Sequence, residues 1–143
     1  MRKERMFSLV VLAIVAVSIM SLPQAYAKAP GKANTAVNYQ VSSTSNPSGS
    51  CGNFGLTGNY GDVRVRSGTV SVLLWNAHPS STYTVSVDKL TQGTCDGSWQ
   101  SVGSISTDQA GNGQMLQKLS LQYGQWYVFE FKDAQGKLAY ATT

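Results

Sequence analysis

Histidine, cysteine and charge are all scarce in this chain of 143 residues, and each shortage removes a class of chemistry. There is one histidine, His78, there are two cysteines, Cys51 and Cys95, and 13% of residues are charged. With the cysteines paired, His78 has no second imidazole or thiolate to share a metal, which excludes zinc, copper and iron sites built on nitrogen and sulfur. Cysteine–histidine catalysis falls for the same reason, and His78, beside Pro79, reads as a solvated turn residue. No Gly-x-Ser-x-Gly elbow surrounds Ser80, Ser81 or any other serine. Acids are few as well. Beyond residue 27 they are Asp62, Asp88, Asp96, Asp108, Glu130 and Asp133, mostly at turns and strand ends, with no spacing that selects a pair for glycoside hydrolysis. Asp108 to Gly113 offers a single carboxylate, too little for a calcium ion that takes about six to eight oxygens, and reads as a turn. The expectation is a protein that is not an enzyme, with no cofactor and no metal; a small secreted hydrolase is the least favoured alternative.

Long apolar runs are absent too, except one. Arg2, Lys3 and Arg5 precede an uncharged, mainly apolar stretch from Met6 to Met20, Pro23 ends it, and Ala25-Tyr26-Ala27 follows. A basic n-region, an h-region and a small-x-small site make residues 1–27 a signal peptide. The alternative is an uncleaved membrane anchor, for which the run is nearly long enough. Export makes an even, small number of cysteines a disulfide, Cys51 to Cys95, whose loop closure is worth about 4 kcal/mol on the chain-entropy account. Removing the leader takes the formal charge from +4 to +2, which is no nucleic-acid footprint. A secreted or cell-surface location follows, with no nucleic-acid partner and, after cleavage, no membrane partner.

Residues 28–35 read as a flexible lead-in and 36–143 as one domain. Ala36 to Ser42 alternates, with Val37, Tyr39 and Val41 on one side. Ser42 to Ser50 reads as loop, and Cys51 to Gly61, with four glycines, as irregular or a short edge strand. Asp62 to Arg66 turns Val63 and Val65 inward and Arg64 and Arg66 outward; Ser67-Gly68 is a hairpin signal. Thr69 to Trp75 is apolar on both faces late in its run, as a central strand would be. Thr82 to Leu90 alternates cleanly. Trp99 to Thr107 breaks parity around Gly103, which predicts a bulge. Gln114 to Gln122, Gln125 to Lys132 and Leu138 to Thr142 complete the set. No helical pattern occurs outside the leader. About seven to nine short strands predict an all-β fold, a single antiparallel β-sandwich.

Pro79-Ser80-Ser81-Thr82-Tyr83-Thr84-Val85-Ser86-Val87 resembles the Pro-x-Thr-x-Tyr-x-Val-x-Val stretch of fibronectin type III domains. The resemblance covers nine residues and implies an immunoglobulin-like sandwich in which Tyr83 is the tyrosine corner, its hydroxyl bonding back to the preceding loop. It departs from the family in that sixty residues follow Tyr83 where the family has two strands. No function transfers with such a scaffold.

Aromatic residues are the opening for binding. On Gln125 to Lys132, Tyr127, Phe129 and Phe131 form one face, and Trp126, Val128, Glu130 and Lys132 a face expected to be solvated. Trp126, with Tyr123 nearby, is therefore the candidate for stacking on a sugar ring. The functional expectation is an extracellular binding or adhesion module for an unknown protein or glycan. The alternative is a self-associating subunit of a surface filament or coat, in which Val37 to Val41 adds as a strand to a neighbouring molecule.

Overall fold

The structure, a computed structural model, describes residues 36–46, 51, 54–122 and 124–142; the leader, the lead-in and Tyr123 lie outside the described residues. Among these there is no helix. Nine strands form in order: β1 (Val37–Thr44), β2 (Leu56–Arg66), β3 (Thr69–Leu74), β4 (Thr82–Thr91), β5 (Thr94–Cys95), β6 (Gln100–Ser106), β7 (Gly113–Lys118), β8 (Trp126–Lys132) and β9 (Leu138–Thr142). All pairings are antiparallel, in one sheet ordered β5-β4-β8-β9-β1-β2-β3-β7, with β6 beside β4. The sheet curls so that its concave face closes over one core and its two halves oppose each other, an all-β arrangement compatible with a sandwich.

The period-2 alternation decides what enters that core. Tyr39, Val41, Val63, Val70, Val72, Tyr83, Val85, Val87, Phe129 and Phe131 all point inward and are at most 4% exposed. Tyr39 meets Phe129 edge-on, with ring centroids 5.6 Å apart, which joins β1 to β8 across the interior. The predicted bulge is present: β4 and β6 slip by one residue between Val85 and Ser86, so that Val102 and Ile105 both reach the core. Gly103 makes this possible. Its φ is 149°, and a Cβ there would sit 3.3 Å from the sulfur of Met115.

Two expectations are corrected. Ser42 to Ser50 is not loop at its start: β1 runs to Thr44, and its hairpin with β2 continues through Ser45 to Gly55 and Asn46 to Phe54 backbone bonds. The glycine-rich stretch is strand from Leu56 and an edge there, as expected: Leu56 and Thr57 pair with β1 alone, and β3 joins β2 only from Gly61. A register shift opposite Val41–Ser43 accommodates the glycines. Gly58, at φ 71°, leaves a carbonyl free of the ladder, and Ser42 Oγ donates to it at 2.9 Å. Finally, β3 is not covered on both faces, because Leu73 is 45% exposed.

The outward face of β8 is the larger surprise. Val128 and Glu130, expected in solvent, are 2% and 5% exposed. The β1–β2 hairpin folds back across it, and Phe54 packs with Val128, Leu138 and Ala141 in a second cluster flanked by Cys51 and Cys95. The disulfide, with Cα atoms 5.5 Å apart and a sequence separation of 44, holds that flap to β5, beside Leu90 of β4. Glu130 pairs with Lys132 at 2.9 Å, and Lys132 lies 5.8 Å from the Trp99 ring centroid.

Candidate functional site

Strand ends set the site. β1, β3 and β6 finish, and β2, β4, β7 and β9 begin, at one rim of the curled sheet. The β3–β4 connection there contains two left-handed non-glycine residues, Asn76 (φ 52°) and Ser80 (φ 49°), a conformation that persists only where the surroundings impose it. Those surroundings are explicit. Ser80 N–H donates to the Asp108 carbonyl at 2.8 Å and Ala77 N–H to the Gly111 carbonyl at 3.1 Å. The buried Thr107 hydroxyl donates to the His78 carbonyl at 2.6 Å and accepts from Ser81 N–H at 3.0 Å. Asp108 in turn locks its own turn, accepting from the N–H groups of Ala110 and Asn112 at 2.8 Å each. These bonds, the one from Asn112 foremost, hold its carboxyl below the usual range. Its oxygens already serve the turn, and no group of three or more potential metal ligands occurs among the described residues.

Tyr140 stands at the centre of this rim. Tyr60 is 5.3 Å from it, Tyr83 5.4 Å and His78 6.3 Å, centroid to centroid. Its hydroxyl accepts from His78 N–H at 3.0 Å. Burial pushes the Tyr140 hydroxyl pKa up to about 12, the bond from His78 opposing and the neighbouring Tyr83 adding. These rings form part of the lining of an open cleft of about 880 Å³, together with Ser43, Asn76, Asp133 and Lys137.

Tyr83 sits at the start of β4 as expected, 1% exposed, but among the described residues its hydroxyl makes no well-formed hydrogen bond to the preceding loop. The tyrosine-corner assignment is thus corrected: the bond to the loop before β4 is made by Tyr140, from β9. The reason is topological, since the curl brings β9, not the start of β4, against His78. Tyr83 instead packs edge-on against Tyr140, its hydroxyl interacting with that of Tyr140.

Trp126 is at the other end of β8, about 20 Å away at the usual rise per residue. It is half-buried, packs against the main core, and pairs in register with Leu90. It does not join the cleft, and its expected companion Tyr123 lies outside the described residues. The cysteines form their bond. The sequence pattern passes over Tyr140 and marks Tyr60 only as one aromatic among many, because nothing local identifies two tyrosines eighty residues apart as neighbours. No protein-family model, curated protein or solved structure matches the chain.

Proposed function

We propose that the chain is an exported, non-catalytic binding module of immunoglobulin-like design that recognises a glycan in the tyrosine-lined cleft. The observation that carries this is the open cleft of about 880 Å³ with the half-buried Tyr60 in its lining beside the exposed Gln135 and Lys137. A hydroxyl-rich ligand can hydrogen-bond to those two side chains while a ring face lies against Tyr60. Asn76, Ser43 and Asp133 add polar groups of the kind that orient such ligands. The Cys51–Cys95 bond fits an oxidising compartment, and no helix among the described residues is long and apolar enough to cross a membrane. The filament alternative draws less support, because its donor strand, Val37 to Val41, already pairs along its length with β2 of its own domain, and at Val41 with β9 as well.

The test is a glycan array read with the parent protein, Gln135→Ala and Tyr140→Phe. Gln135→Ala should leave thermal unfolding unchanged, since the side chain is exposed, yet weaken ligand binding about three- to tenfold, the range for one neutral hydrogen bond. Tyr140→Phe should lose about 1–2 kcal/mol of stability by stranding His78 N–H. Binding indifferent to Gln135→Ala, or an array with no ligand, ends the glycan reading. Concentration-dependent polymers on size exclusion, abolished by deleting β1, would instead establish the filament.

A further inference from the structure

The charges of the chain are not evenly spread. Register places the outward residues of β2, β3 and β7 in rows. Arg64 is opposite Ser71, which is opposite Leu116; Arg66 is opposite Thr69, which is opposite Lys118. Three cations from distant parts of the sequence therefore meet on one convex face. Arg64 donates from Nε to Asn38 Oδ1 at 3.1 Å, and among the described residues none of the three cations has an ion pair. The one acid on this face, Asp62, is a row away, opposite Leu73.

The same face carries exposed apolar surface. Leu116 is 73% exposed and Leu73 45%, two of three large hydrophobic residues so exposed among the described residues. Between the rows is a dent of about 240 Å³ lined by Arg64, Arg66, Thr69, Ser71 and Leu116. Guanidinium forks bind phosphate in two-pronged fashion, and the Thr69 and Ser71 hydroxyls can complete the donor set.

We propose that this face docks the protein on a bilayer containing anionic phospholipid, with headgroup phosphate in the dent and Leu116 at the acyl boundary. A soluble acidic polymer or an acidic peptide would satisfy the cations and leave both leucines in water; a bilayer surface takes up both. The proposal departs from the expectation of no membrane partner after cleavage, which rested on loss of the one long apolar run and could not see the clustering. It also orients the molecule. Arg66 and Lys118 lie at the end of the sheet away from the cleft, so a docked protein presents the cleft outward.

The experiment uses exported protein recovered after leader removal, its N-terminus checked by mass spectrometry, and co-sedimentation with phosphatidylcholine vesicles with and without phosphatidylglycerol. Binding is expected only with phosphatidylglycerol, and it should fall at high salt. Arg64→Ala, Arg66→Ala and Lys118→Ala should each weaken it about fivefold, the usual value of one basic residue near such a surface. Leu116→Asn should weaken vesicle binding and leave heparin binding alone. All four side chains are exposed, so thermal unfolding should not move, and Arg64→Lys, which keeps charge but loses the fork, should fall between parent and alanine. Equal binding to neutral and anionic vesicles, or a triple alanine variant that binds like the parent, overturns the proposal. Heparin bound as tightly as vesicles, with Leu116→Asn without effect on either, overturns it in favour of a soluble acidic polymer.

Discussion

Asp88 shows what a single buried carboxyl does to this fold. It is on the outward face of β4, yet only 2% exposed, because the turn after β5 closes over it: Gly97 N–H donates to Oδ2 at 2.9 Å and Lys89 N–H to Oδ1 at 2.7 Å. Burial, and then a hydrogen bond with the Asp96 carboxyl, raise its pKa above the ordinary 3.8. Asp96, solvated and accepting from Ser98 N–H, is lowered. The two signs oppose each other. Above pH 3.8 the folded Asp88 still holds a proton that an unfolded one has released, so its contribution declines as pH rises through the folded value. Below pH 3.8 the folded Asp96 stays ionised where an unfolded one is protonated, so its contribution is lost as pH falls through its own folded value. The pair is best held with one shared proton. Asp88→Asn, which keeps an acceptor for the backbone and always offers a donor to Asp96, should remove the decline on the alkaline side. Urea unfolding of parent and variant from about pH 4 to about pH 7 checks this. Their difference in stability should change steadily over that interval in favour of the variant, and a constant difference would show that the carboxyls do not share a proton.

At the scale of elements, bulges decide which residues face inward, and the sequence announces some of them. Val102 and Ile105 are three apart, which a regular strand cannot put on one face, and glycine between them leaves little choice but a bulge. Gly103→Ala should therefore cost about 1–3 kcal/mol, since an L side chain at φ 149° is strained and its Cβ would crowd Met115. Chemical denaturation measures the loss, and the same substitution at Gly68, a turn position with nothing near its Cβ, should cost no more than the left-handed backbone penalty. The alternation that revealed β4, β6, β8 and β9 is a local signal, and most strand positions were legible from it. Where reading failed, the deciding interaction was distant. Nothing near Ser42 indicates that β1 will run on to Thr44 and pair there with Leu56. Nothing near Glu130 indicates a flap from residue 54 above it. The Tyr60, Tyr83, Tyr140 and His78 cluster is of the same kind, since each is unremarkable in its own strand or loop and only the curl of the sheet brings them to one rim.

The whole molecule has two apolar clusters of unequal independence, and the disulfide distinguishes them. The main core takes residues from both halves of the sheet and needs no cross-link to be buried. The second, Phe54 with Val128, Leu138 and Ala141, exists because Phe54 lies over the outer face of β8 and β9, and Cys51–Cys95 is what fastens this segment to β5. Opening the bond restores loop freedom to the unfolded chain, worth about 4 kcal/mol for a separation of this size, and in the folded chain it releases the flap. Reduction, or the Cys51→Ser/Cys95→Ser pair, should accordingly lower the melting temperature by roughly 10–20 °C for a domain of this length while far-ultraviolet circular dichroism keeps its sheet signal. The reduced protein should also bind an apolar dye at room temperature that the oxidised protein does not, because Val128 and its neighbours become accessible. Loss of the sheet signal together with the flap would show that the outer cluster is part of one cooperative unit with the core. Two free thiols in the unreduced, denatured protein would show that the flap is held by packing of Phe54 alone, and Phe54→Ala, not reduction, would then be the change that uncovers β8.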